Sequence, residues 1–313
     1  MSRPSFPHVI DSSMIAAFRS CPRKAYFDFF EHWKPKTPSV HLHAGASFAR
    51  GLEIARTEFF LNGRSEADSI ALGLNALLVS YGDFACPADS AKSLQRMAGA
   101  YEYYFAAYPL SSDRAVPITL PSGRRGIEFS FAEPLPVNHP ETGDPLIYVG
   151  RLDMVADWNG ARFGEDDKTT SQLGASWPRQ WDLRSQFTGY CWGADQGGIK
   201  LAGFLVRGIS ILKTKYETAQ AITYRPQWMI DEWYEQLITR DLPQMIQMWE
   251  SGKWGASLDH ACNDFGGCGY RQVCLSEPTN RIDWLRTGYE QRKWDPVART
   301  ETRLDDGVVT REG

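Results

Sequence analysis

The stretch LIYVGRLDMVADWNGARFGEDDKTT, residues 146–170, is where the chain changes its hydrophobic period, and it decides the fold class. Leu146 to Trp158 reads as a strand, Asn159-Gly160 as a two-residue reversal, and Ala161 to Thr169 as the returning strand. With Asn159 and Gly160 in the loop, Trp158 faces Ala161, Asp153 faces Asp166, and Arg151 faces Lys168. Facing residues of an antiparallel pair hold their Cβ atoms about 4.5–5.5 Å apart. Two ionised carboxylates at that spacing repel by roughly 4 kcal/mol at an effective dielectric of about 20. A divalent cation between them removes that cost. Side chains alternate between faces, so Glu165 and Asp167 are expected opposite to Asp166 and Lys168. The competing reading is a row of solvent-facing charges screened by Lys168.

Upstream, Ile127, Phe129 and Phe131 alternate with Glu128 and Ser130, a strand expected to end among Pro134, Pro136 and Pro140. Downstream, a helix is expected over Leu183 to Ala194, then strands over Phe204 to Leu212 and Ala219 to Tyr224. A long helix carries Ile230, Trp233, Leu237, Met245 and Trp249, with a kink expected at Pro243. The first third is helical in pattern. Ser12 and Ser13 offer N-caps ahead of Met14 and Phe18, and Pro22 interrupts the run. Phe48, Leu52, Ala55 and Phe59 recur at helical spacing, as do Ile70, Leu74 and Leu77, and then Leu94, Met97, Tyr101, Phe105 and Tyr108. These are core faces. The polar end from Arg299 reads as a loose tail.

At 313 residues and 42% hydrophobic, the chain can bury a sizeable core. A formal net charge of −4 excludes bulk electrostatic attraction to nucleic acid and leaves room for a local basic groove. Arg19, Arg23 and Lys24, then Arg179 and Arg184, then Arg286, Arg292 and Lys293 are the candidates. No apolar run is long enough for a membrane span, and Met1 to Ile10 lacks the pattern of a secretion signal. The expectation is a soluble, cytoplasmic protein with no membrane partner.

Gln186 and Tyr190 lie four apart and share a helix face. Trp177, Trp181 and Arg184 precede them, placed either to pack the helix on the sheet or to meet nucleic-acid bases. Trp284, Tyr289 and Trp294 interleave with Arg281, Arg286, Arg292 and Lys293, a mixture suited to either role. Cys262, Cys268 and Cys274 are evenly spaced, and Cys21 stands alone near the start. Four thiolates suit an iron–sulfur cluster or a tetrahedral zinc. A disulfide framework is not expected in so large a chain, and Cys86 and Cys191 read as buried free thiols.

Gly150-Arg151-Leu152-Asp153, Asp166-Asp167-Lys168 and Gln186 to Tyr190 together resemble the successive motifs of the PD-(D/E)XK nucleases. The likeness is to the RecB-like branch, with its CRISPR-adaptation nucleases, AddB nuclease domains and phage exonucleases, and it runs from about Ser12 to Cys274. It implies an α/β restriction-endonuclease-like core, a mixed central sheet flanked by helices, over residues 121–255. An N-terminal helical region (1–120) would precede it, and a C-terminal cysteine lobe and tail (256–313) would follow. Gly45 to Glu53 resembles the first helical motif, with Ala49 where the family commonly has a metal-binding histidine. Glu53, one turn on, would complete the coordination in its place, and His41 and His43 are poorer substitutes.

The resemblance also assigns roles. Asp153 and Asp166 would bind Mg²⁺ or Mn²⁺ with the Asp167 carbonyl, Lys168 would orient or deprotonate the attacking water, and Gln186 and Tyr190 would position the scissile strand. Cys21, in FRSCPRK (residues 18–24), would join Cys262, Cys268 and Cys274 around a [4Fe–4S] cluster stapling the chain ends. The implied activity is a metal-dependent DNA exonuclease acting on duplex ends or single strands in recombination, repair, phage DNA metabolism or CRISPR adaptation. Its partners would be DNA and a recombination, helicase or CRISPR-adaptation protein. Two other readings stand beside it: a nuclease-like DNA-binding or assembly module impaired by Ala49, and a zinc-stabilised interaction protein.

Overall fold

The computed structural model describes residues 3–37, 39–120, 122–263 and 267–296; the tail expected from Arg299 lies outside the described residues. The chain begins with β1 (Val9–Asp11), α1 (Ser12–Ser20), α2 (Pro22–Ala25), β2 (Trp33–Pro35), α3 (Val40–Arg56), α4 (Glu66–Tyr81) and α5 (Leu94–Ala107). Strands follow: β3 (Val116–Pro117), β4 (Ile127–Asn138), β5 (Pro145–Trp158) and β6 (Ala161–Thr170). Then come α6 (Ser185–Gln196), β7 (Gly203–Ile211), β8 (Tyr216–Tyr224), α7 (Gln227–Gln236) and α8 (Leu242–Ser251). Four short elements close the described chain: α9 (His260–Asn263), α10 (Arg271–Leu275), α11 (Arg281–Gly288) and β9 (Tyr289–Gln291). Contacts gather these into two compact units, one from residues 38–131 and 151–227, the other from the described parts of 1–37, 132–150 and 228–308.

In the first unit the strand order is β5-β6-β7-β8, parallel between β6 and β7 and antiparallel on either side. This is a mixed sheet. Strand β7 is buried at all nine positions, so its sequence GFLVRGISI shows no polar alternation. Its odd positions Ile209 and Ile211 meet Phe48, Leu52, Tyr101, Tyr104 and Phe105 of α3 and α5. On the other face Phe204 stacks on Phe187 of α6 with ring centroids 4.3 Å apart. Helices therefore cover both faces. Gly164 on β6 makes room for that stack, since a Cβ there would lie 2.5 Å from the Phe204 ring.

The hairpin has the expected register. Asn159 (φ 53°) and Gly160 (φ 82°) both take the left-handed conformation that a type I′ turn requires. The ladder runs from Trp158↔Ala161 to Met154↔Glu165. Strand β4 continues past Pro134 and Pro136 to Asn138, further than expected. Both prolines sit at exposed alternate positions. Donors two residues apart leave a strand on the same edge, so the two prolines spare the other edge.

In the second unit β1 runs parallel to the first half of β5, from Val9↔Ile147 to Asp11↔Val149, and β2 pairs antiparallel with β9. Helix α1 is capped by Asp11, whose carboxylate accepts from the Met14 N–H at 2.8 Å, and not by Ser12 or Ser13. Pro22 begins α2 instead of interrupting a helix. The kink expected at Pro243 is a π-helical turn over Leu237–Asp241, with Pro243 in the first turn of α8. The ring of Tyr289 stacks on Tyr270 and Trp294 lies edge-on to Phe29, so both aromatics are packed, while Trp284 is exposed. Among the described residues no helix is long and apolar enough to cross a membrane.

Candidate active site

Where the β5–β6 ladder stops, a side chain takes over: Asp153 Oδ2 accepts the Asp167 N–H at 3.1 Å. Asp166 is buried and ion-paired with Lys168, whose side chain keeps 32% of its surface exposed. Burial and the neighbouring Asp166 hold the Asp153 carboxyl well above its ordinary range. Burial likewise raises Asp166, against the pull of Lys168 and of exposed Arg184. For Lys168 burial opposes the charge, but Asp166 and Asp153 outweigh it and keep the ammonium protonated. Two carboxyls that resist ionisation together, beside one half-buried ammonium, make a site short of positive charge.

Helix α6 supplies the next residues on this face. Gln186 Nε2 donates to Tyr190 Oη at 3.1 Å, and the Tyr190 phenol is near enough to act on Lys168. Phe187, one residue after Gln186, locks the helix through its stack on Phe204. Trp177 and Trp181 are buried against each other, and a Cβ on Gly208 would meet the Trp177 ring at 2.4 Å. They pack; they present no free face to a base.

The opposite face of β6 is built differently. Arg56 Nη1 donates to Asp167 Oδ2 at 2.8 Å, and its other nitrogen donates to Glu165 Oε1 and to Tyr104 Oη. Tyr104 Oη donates to Asp167 Oδ1 at 2.6 Å. Arg207 bridges Glu165 and Asp113. Burial pushes Glu165 up to about 7 in spite of both arginines. Asp167 can therefore serve the site only through its backbone.

Helix α3 lies on this second face, from Gly45 beside Thr169 to Arg56 on Glu165 and Asp167. Ala49 falls within about 40° of both contacts in helical azimuth. Glu53 is ion-paired with Arg50 at 2.7 Å. The structure thus brings Asp153, Asp166, Lys168, Gln186 and Tyr190 to one face and carries Glu53 on a helix that packs on the other. His43 stacks on Phe84, and its Nε2 lies 2.9 Å from the Tyr81 carbonyl oxygen.

Sequence reasoning missed two features. Glu128, with φ of 53°, is close enough to raise Asp153 further and is ion-paired at 3.0 Å with Arg151, the residue that the hairpin register sets opposite Lys168. The alternation around Ile127 marked its strand but not its neighbour. The Arg56–Arg207 network carries no local signal, since its members lie on five separate elements or loops.

Among the described residues no three His, Cys, Asp or Glu side chains are gathered tightly enough to enclose a metal ion. The acid pair still fits Mg²⁺ or Mn²⁺, because such ions are commonly held by one or two carboxylates with water and substrate phosphate filling the rest.

All six cysteines are free thiols, Cys191 buried but Cys86 half-exposed, unlike the expectation of burial for both. Cys21 Sγ accepts from the Ser257 N–H at 3.4 Å, Cys262 Sγ lies 4.0 Å from the Ser257 carbonyl oxygen, and Arg23 reaches Cys274 Sγ at 4.0 Å. Burial raises Cys268, with Cys21 and Cys274 adding to the effect. The four cysteines thus share one neighbourhood in the second unit. Four cysteine sulfurs are a donor set that fits an iron–sulfur cluster or a zinc ion. Asp264 to Gly266, inside the Cys262–Cys268 loop, lie outside the described residues.

No protein-family model and no curated protein matches the chain. Among solved structures, a protein of Eubacterium rectale named as a candidate exonuclease is similar at 13% identity and a TM-score of 0.48, over 88% of this chain and 92% of that one. The protein designated SSO0001 is similar at 14% identity and a TM-score of 0.27, over 62% and 73% of the two chains. At these values neither comparison assigns an activity to this chain.

Proposed function

We propose that the chain is a metal-dependent deoxyribonuclease of the PD-(D/E)XK, RecB-like kind, working as an exonuclease on DNA ends or single strands. The observation that carries the reading is the shared face of Asp153, Asp166 and Lys168, a half-buried and a buried carboxyl held against each other with one half-buried ammonium. In this reading Asp153 and Asp166 would hold Mg²⁺ or Mn²⁺ together with the Asp167 carbonyl, with Glu53 as a further ligand. A bound ion supplies charge neutralisation for a phosphodiester and a more acidic water. Lys168, kept protonated by its two acids, donates to the attacked phosphate and offsets its growing negative charge. Tyr190, steadied by Gln186, orients Lys168, and exposed Arg184 meets a neighbouring phosphate of the strand.

The test is digestion of end-labelled single-stranded and duplex DNA with Mn²⁺, beside Asp166→Ala and Lys168→Ala. Label released by the wild type and not by the variants is the expected result; an inactive wild type, or variants equal to it, sinks the reading. Ala49 favours one rival, a DNA-binding module without catalysis, which would retain the strand but never shorten it.

We further propose that Cys21, Cys262, Cys268 and Cys274 hold a [4Fe–4S] cluster that ties the second unit together. Protein purified without oxygen should be brown and should lose its colour in Cys21→Ser. Colourless, zinc-loaded protein from the same preparation defeats the assignment.

A further inference from the structure

Beyond the ends of the two parallel strands β6 and β7 lies a cavity of about 440 Å³, lined among others by His41, Ser90, Lys92, Ser171, Leu212 and Lys213. Lys92 is 3% exposed. Its ammonium donates to Thr169 Oγ1 at 3.0 Å and to the Thr169 carbonyl oxygen at 3.4 Å, and among the described residues it has no carboxylate partner. A buried ammonium held only by two neutral oxygens is incompletely compensated. Nothing offsets its burial, which lowers its pKa to about 8. The other charged or titratable groups of the cavity are exposed His41, Asp89 and Lys213, so the lining is positive in sum. Val40 and His41 are the first turn of the 17-residue α3, whose N-cap Ser39 makes no side-chain cap hydrogen bond. First-turn N–H groups add to an anion site when a cation already defines it. Crevices past the carboxyl ends of parallel strands are also where open α/β sheets take their ligands.

We propose that this cavity is a phosphate-binding subsite centred on Lys92, which grips a phosphate of the bound DNA strand away from the one being cut. The proposal deepens the nuclease reading and rests on it for the source of the phosphate. Thr169, whose hydroxyl holds Lys92, follows Lys168 directly in β6 but points to the opposite face, so the two sites lie at the same end of one strand.

Salt-dependent binding of a 5′-phosphorylated single-stranded oligonucleotide, with Ca²⁺ replacing the active metal, tests it in wild type, Lys92→Met and Lys213→Gln. Each lost phosphate contact flattens the slope of log K against log salt by about 0.7 on a single strand. Lys92→Met should show that flattening and a loss of affinity across sequences, and Lys213→Gln, at the exposed rim, a smaller change in the same direction. Inorganic phosphate is the second probe: it should raise the melting temperature of the wild type and not of Lys92→Met. Unaltered slopes in both variants overturn the strand assignment even where digestion succeeds. A phosphate effect lost in Lys92→Met without any DNA binding by the wild type keeps the anion site and sinks the nuclease reading. Equal phosphate stabilisation of wild type and Lys92→Met overturns the site itself, and if Lys92→Met is unfolded the Lys213→Gln slope decides.

Discussion

Glu165, Asp166, Asp167 and Lys168 are consecutive, yet the two faces of β6 put them to opposite uses. On one face Glu165 and Asp167 are answered by Arg56, Arg207 and Tyr104. On the other, Asp166 has Lys168 for a partner and Asp153 for a rival. A charge network answered by two guanidinium groups and a phenol holds elements in place. A carboxyl pair left short of positive charge is poised to take a cation. The difference between a structural and a chemical acid is therefore one residue of register.

The sharpest way to break that contrast is Arg56→Ala, which takes the shared cation from two buried carboxyls and should cost about 3–5 kcal/mol of stability. Chemical denaturation would measure it, and a loss under 1 kcal/mol would deny the network its structural role. Asp166→Ala and Lys168→Ala should do the reverse. Turnover of the proposed exonuclease is expected to fall by about 10²–10³-fold or more in both, with the melting temperature unchanged or higher in Asp166→Ala, where the carboxyl pair is relieved, and lower in Lys168→Ala, where that pair loses its counter-charge.

The pH dependence separates the faces next. Glu165, Asp153 and Asp166 all bind protons more tightly in the folded chain than when unfolded. Their contribution to stability is therefore complete below the ordinary carboxylate range and is lost as pH rises through their folded values, about 7 for Glu165. Metal-free protein should lose melting temperature between about pH 4 and pH 7. Mn²⁺ should restore it at pH 8 and not at pH 5. Asp153→Asn should abolish the Mn²⁺ effect, whereas Glu165→Gln should flatten the pH slope and keep that effect. Calorimetry with and without Mn²⁺ reads both, and a Mn²⁺ effect that survives Asp153→Asn would place the ion elsewhere. The smallest effect is expected for Tyr190→Phe, which removes one hydrogen bond at the edge of the site. About 0.5–1.5 kcal/mol is at stake, seen as a several-fold drop in turnover with unchanged stability.

Much of this was legible because it is local. Asn159-Gly160 fixes the turn, the turn fixes the register, and the register divides the four charged residues between faces. Gln186 and Tyr190 followed from helical spacing. Glu128 was not legible, because its approach to Asp153 depends on a left-handed φ in a neighbouring strand. Nor was the carboxylate of Asp11 as the cap of α1, where Ser12 and Ser13 are equally plausible from sequence. Cys86 misled for a similar reason: exposure depends on what packs nearby, and composition says nothing of that.

By itself the chain of residues determined the α/β class, the hairpin and which acids share a side, since those depend on periodicity and on the backbone freedom of one Asn-Gly pair. Only the tertiary structure decided which face is neutralised and which is left wanting. Arg56 and Arg207 are more than a hundred residues apart, and a Coulombic partner at such separation is chosen by packing, with no trace in local sequence.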